Sequence, residues 1–154
     1  MIDGQVKVVE KDKLWPNTIE TFRSGEYLTV ETTEPVNLFR KFGGGLNQAK
    51  LDGGYASTST NANRQELAVY PAWSNSRFEA DLVIPEGQKL NIGVVGQQPP
   101  NSLIPKCRGG VDQIILPRNW SMDWVRSVRD GKTGAIYTLD EFKAAFPDQM
   151  TRGN

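Results

Sequence analysis

Histidine is absent from all 154 residues, and cysteine occurs once, at Cys107. That removes Ser-His-Asp and Cys-His pairings, His-containing zinc sites and any internal disulfide. Cys107 itself reads as a semi-buried small residue. Catalysis in such a chain has to use carboxylates, amides, hydroxyls, guanidinium groups or lysine.

Four places offer such groups. In Leu38-Phe39-Arg40-Lys41-Phe42-Gly43-Gly44 an arginine stands on an otherwise apolar strand just before a glycine turn. It is either a surface arginine or a strand-end guanidinium that clamps a phosphate, with glycine letting the ligand approach the backbone. In Gly53-Gly54-Tyr55-Ala56-Ser57-Thr58-Ser59-Thr60 an aromatic ring precedes a run of hydroxyls. Such runs are commonly solvated turns, but a ring beside hydrogen-bonding groups is also what a nucleotide or nicotinamide pocket requires. Arg64 opens an expected helix and is either a surface residue or a second phosphate ligand. Finally, Gly109-Gly110-Val111-Asp112-Gln113 feeds an amide into the apolar strand Ile114-Ile115-Leu116. A buried amide is costly without partners, so Gln113 either faces solvent or has a job.

These groups need elements to hold them. Glu26 to Thr32 alternates and is β-branched, so it reads as a strand, and Val36 to Lys41 reads as another beyond the Glu34-Pro35 break. Gly43-Gly44-Gly45 makes a flexible turn, and Tyr55 to Ser59 a short strand or its end. Asn63 with Glu66 predicts a helix start, running to Tyr70 and stopped by Pro71. Arg77–Ile84 and Leu90–Val95 read as strands joined by Pro85-Glu86-Gly87. Residues 98–110 read as a surface loop, and Gln113–Leu116 as a buried strand ended by Pro117. Thr138-Leu139-Asp140-Glu141 is a capping box that opens a last short helix, stopped by Pro147. Many short strands with two or three small helices predict an α+β fold with a split or packed antiparallel core.

The chain is long enough for one core and too short for two. Its 18 Lys and Arg balance 18 Asp and Glu, so no net field draws it to nucleic acid or a membrane, and neither is expected as a partner. No apolar run approaches the roughly 20 residues that span a bilayer. No charged-then-apolar leader opens the sequence, so export is expected to depend on another part of a larger protein. Gly43-Gly44-Gly45 lacks the lysine and hydroxyl of an ATPase phosphate loop, no carboxylate set has calcium-loop spacing, and no metal is expected. Trp15, Trp73, Trp120 and Trp124 read as core and lid residues rather than a sugar platform.

Taken in order, the pieces resemble a known family. Thr21-Phe-Arg-Ser-Gly-Glu-Tyr27, Leu38-Phe-Arg40-Lys-Phe-Gly-Gly44 and Gly54-Tyr-Ala-Ser57 look like the first part of ADP-ribosyltransferase-like toxin domains. Trp73-Ser-Asn75, Val83-Ile-Pro-Glu-Gly87, Gly93-Val-Val-Gly-Gln97 and Gly109-Gly-Val-Asp-Gln113 follow in matching sequence. This second half is similar to the tuberculosis necrotizing toxin group of NAD⁺ glycohydrolases and to C-terminal domains of polymorphic bacterial toxins. No single motif is specific; the likeness lies in their order from Thr21 to Pro117. It divides the chain into an N-terminal extension or cap (1–20), an NAD⁺-binding catalytic core (21–117) and a C-terminal helical segment (118–154).

The resemblance implies a compact split sheet gripping NAD⁺ or NADP⁺ as substrate. It makes Gln113 and Arg40 the catalytic pair, with Gln113 near the nicotinamide ribose and Arg40 at a phosphate or ribose. Arg64, Tyr55, Ser57, Phe42 and Gly43 would line the substrate. Two departures stand out: some members of the glycohydrolase group carry a site histidine, and transferases typically place a catalytic Glu at the position of Gln113 or two residues beyond, where residue 115 is Ile. Without that carboxylate the expected acceptor is water. The implied protein is an NAD⁺ glycohydrolase toxin carried on a larger secreted effector, acting in a target cell's cytoplasm and neutralised by a cognate immunity protein. A mono-ADP-ribosyltransferase, or an inactive module that binds a nucleotide or a protein, are the alternatives.

Overall fold

In a computed structural model of the chain, the described residues are 3–14, 16–19, 22, 25–45, 48–58, 76–94 and 112–151. Among the described residues, nine short strands and two small α-helices make an α+β fold. Strands β1 (Val6–Val8), β2 (Leu28–Thr32), β6 (Lys89–Val94), β7 (Asp112–Ile115) and β4 (Tyr55–Ala56) form one antiparallel sheet, in the order β1-β2-β6-β7-β4. The other sheet is β3 (Val36–Phe42), β5 (Phe78–Ile84), β8 (Val125–Asp130) and β9 (Ile136–Tyr137), in that order. Helix α1 spans Pro16–Ile19 and α2 spans Leu139–Ala145. No helix among the described residues is long and apolar enough to cross a membrane.

The alternation in the sequence sets the inward faces. On β3, Val36, Leu38, Arg40 and Phe42 are buried, opposite Ile84, Leu82, Ala80 and Phe78 of β5. These pack with Val30, Leu90, Ile114, Leu116 and Ala56 of the other sheet to make one core between the two. The capping box is present at both its bonds: Glu141 N–H donates to the Thr138 hydroxyl, and Thr138 N–H to the Glu141 carboxylate at 2.8 Å. The helix it opens lays Phe142 against Phe42 and Phe78 with ring centroids 5.7 and 5.1 Å apart, closing that end of the core.

Residues 118–154 differ from the expected helical segment. Alongside α2 they supply β8 and β9, and β8 is an interior strand of its sheet. Its signal is hidden by a bulge: Asp81 pairs with Ser127 but Leu82 pairs with Val125, so Arg126 is the extra residue. Val125 and Val128 therefore both face inward at a spacing of three, which masks the period of two. The N-terminal extension likewise supplies β1 and then crosses the outer face of its sheet. There Asp12 N–H donates to the Thr29 hydroxyl at 2.8 Å, and Thr29 in turn donates to Asn91 at 2.6 Å. Phe22 and the Glu26 carbonyl press so closely on Gly93 that a Cβ there would lie 2.6 Å from each.

Candidate functional site

The two sheets meet at β4. On one edge, Tyr55 pairs with Ile115 and Ala56 with Ile114 of β7. On the other, Ser57 exchanges two main-chain hydrogen bonds with Phe39 of β3, both 2.8 Å. Continuing the β4–β7 register by one residue sets Ser57 opposite Gln113, about 5 Å away at Cα. Ser57, Tyr55 and Gln113 then share the outer face, while Ala56 and Ile114 face the core. Gln113 and Ser57 are nearly inaccessible, at 7% and 2% exposure, whereas the Tyr55 side of the seam is open at 42%. Distant parts of the chain thus bring an amide, a hydroxyl and a ring onto neighbouring strands.

Arg40 flanks β4 from the other strand but points to the opposite, inward face. Its guanidinium is almost wholly buried and donates to main-chain carbonyls: Nε to Lys50 and Leu51 at 3.2 and 3.1 Å, Nη1 to Tyr55 at 2.9 Å, and Nη2 to Lys50 at 2.7 Å. The structure gives Arg40 the task of clamping the 50–55 loop, a different one from the phosphate contact expected of it. Trp120, a core residue as expected, seconds the clamp by donating from Nε1 to the Gly53 carbonyl at 2.9 Å. Leu116 N–H also donates to the Gly54 carbonyl at 2.8 Å. The loop before Tyr55 is therefore fixed by contacts from β3 and from the 116–120 segment.

One expectation is corrected. Phe42 does not line a substrate surface: it lies on the same inward face as Leu38 and Arg40, is 0% exposed, and stacks within the phenylalanine cluster. Gly43 does adopt a left-handed φ of 134°, as glycine permits, but its N–H is given to the Ala49 carbonyl at 2.9 Å. The turn it begins is bound from inside. The buried Lys50 ammonium donates to the Gly44 carbonyl at 2.9 Å and to that of Gly45, and Gln149 Nε2 donates to Gly44 at 3.0 Å. Lys50 was not singled out from sequence; a carbonyl acceptor leaves no letter to find.

Arg64, the expected helix 63–70, Ser59, the 98–110 loop with Cys107, the Gly109-Gly110 pair, Trp15 and Trp73 all lie outside the described residues. Among the described residues, no three His, Cys, Asp or Glu gather as a metal site. Set against protein-family models, curated proteins and solved structures, the chain has no match.

Proposed function

We propose that this chain is an NAD⁺ glycohydrolase of ADP-ribosyltransferase-like type, cleaving NAD⁺ or NADP⁺ to nicotinamide and the corresponding ADP-ribose. The observation that carries the proposal is the seam at β4, where the register sets the buried Gln113 opposite Ser57 with the Tyr55 ring on the same face. A hydroxyl and a ring beside the amide suit the ribose and the nicotinamide.

The chemistry asks little of acid or base. The C1′–N bond breaks, nicotinamide leaves as a neutral molecule with the bonding electron pair, and the ribose passes through an oxocarbenium-like transition state. Water attacks C1′ and gives its proton to solvent. The protein's share is orientation and charge stabilisation. Gln113 holds a ribose hydroxyl and the attacking water, Tyr55 packs the nicotinamide, and Ser57 adds a hydrogen bond. Arg40 is a positioning residue in this scheme, since it acts through the Tyr55 carbonyl rather than on substrate. Ile115, paired with Tyr55 and Asn91, offers no carboxylate to activate a protein or nucleic-acid acceptor, which supports water.

The test mixes the purified chain with NAD⁺ and follows nicotinamide and ADP-ribose. Release that falls at least a hundred-fold in Gln113→Ala, with the variant still folded, supports the assignment. Wild type without turnover, or Gln113→Ala with full turnover, defeats it. We extend the proposal to a toxin role with a neutralising immunity protein. Expression in a cell should deplete its NAD⁺ and arrest growth, and an inactive binding module should do neither.

A further inference from the structure

At the β8–β9 end of the second sheet lies a hollow of about 600 Å³ lined by Lys41, Ser76, Arg77, Arg129, Gly131 and Lys132. None of these residues belongs to the seam at β4. Cross-strand pairing builds part of its wall, because Lys41, Glu79 and Arg129 stand in one row across β3, β5 and β8. The tight turn after Asp130 builds the rest. Gly131 N–H donates to the Arg77 carbonyl at 2.7 Å, and a Cβ on Gly131 would stand 2.9 Å from that oxygen.

Two of the four cations are fixed in place. Arg77 is bidentate on Asp130, at 3.0 and 2.8 Å, and its guanidinium lies over the Phe78 and Phe146 rings at 4.9 and 5.2 Å. Arg129 is held by Glu79 at 3.2 Å. Both carboxylates lie beneath the surface, Asp130 at 0% and Glu79 at 6% exposure. Neither Lys41 nor Lys132 forms an ion pair with a carboxylate among the described residues. Among the described residues, four cations line the hollow and two buried carboxylates pair with two of them, so its lining is rich in positive charge. Gathering like charges is unfavourable without a counter-anion.

We propose that this hollow binds the phosphate groups of a small phosphorylated molecule, a diphosphate above all. Arginines already locked by carboxylates and rings lose little freedom on binding, and charge-assisted contacts to phosphate oxygens are the strong kind. This inference stands apart from the proposed NAD⁺ cleavage. The phosphate can come from the dinucleotide substrate itself or from a separate phosphorylated molecule.

Calorimetry with inorganic pyrophosphate and with ADP-ribose tests it, on wild type, on Lys41→Gln/Lys132→Gln, and on Arg126→Gln/Lys143→Gln as an equal loss of charge elsewhere. Lys132→Gln alone, at an exposed turn position, guards against a folding defect in the double variant. The lysine pair variant should weaken pyrophosphate binding about ten-fold, and the control pair should leave it within about two-fold. Gln113→Ala should bind pyrophosphate as wild type does, whether or not wild type cleaves NAD⁺. Given that loss, a parallel rise in KM for NAD⁺ assigns the hollow to the substrate's diphosphate. An unchanged KM assigns it to a second ligand. No pyrophosphate binding by wild type, or equal losses in the two pair variants, overturns the proposal.

Discussion

Alanine at Gly53 would drive a methyl group into the guanidinium of Arg40, with its Cβ 2.5 Å from Cζ and closer still to Nη2. The side chain that must yield is the one tying β3 to the 50–55 loop. Moving it sacrifices the Nη2 bond to Lys50 and the Nη1 bond to Tyr55, 2.7 and 2.9 Å long. Hydrogen bonds to a charged group contribute about 1.5–3 kcal/mol each, so the pair accounts for about 4 kcal/mol. Alanine restricts the unfolded chain and returns about 0.4–1 kcal/mol. The expected net loss is about 3 kcal/mol, or about 9 °C in Tm for a chain of this size. Gly54 is the matched control, because a Cβ there meets nothing within 4 Å. Gly54→Ala should leave stability unchanged or raise it by up to about 1 kcal/mol. Urea unfolding followed by tryptophan fluorescence reads both, and Trp120 reports locally through its bond to the Gly53 carbonyl. Equal midpoints for the two variants would refute the clamp.

Three further outcomes are expected. Asp130 is held at about 2, below the usual 3.8, first by the hydrogen bond from Arg77 and then by the Lys132 N–H, against the opposing effect of burial. Its folded value is depressed, so its contribution to stability is complete above pH 3.8 and is lost as pH falls towards 2. Asp130→Asn should be destabilised by about 3–5 kcal/mol at pH 7, with the gap to wild type narrowing below pH 4 in urea titrations. Phe42→Ala should cost about 3–5 kcal/mol in the same titrations, and a stable variant with only a raised KM would return Phe42 to the substrate. Thr138→Ala breaks the capping box and should lower stability by about 1 kcal/mol, with Thr138→Ser restoring most of it; identical unfolding curves would deny the cap any energetic role.

What the sequence made legible was local. Among the described residues, five strands follow from alternation or from short apolar runs bounded by turns, β4 is read as a short strand at Tyr55, and the last helix follows from a cap whose two partners are three residues apart. β1 and β9 are too short to show a period, and the Arg126 bulge in β8 disguises one. The alternation of Leu38, Arg40 and Phe42 carried enough information to send Phe42 inward. The site was less legible, for a physical reason. That Ser57 stands opposite Gln113 depends on a register between strands far apart in the chain. That Arg40 grips carbonyls depends on backbone atoms common to every residue.

Among the described residues, the join between the two sheets is a two-residue strand and a single bridge, and its partners lie at very different distances along the chain. The Phe39–Ser57 contact closes a short loop, whereas Ala56 must wait for Ile114, so loop-closure entropy delays the second edge. Refolding should therefore assemble the β3–β4 corner well before Gln113 arrives beside it. Any capacity to cleave substrate would appear only in the final kinetic phase, together with the Trp120 bond to Gly53, which spans as long a stretch of chain.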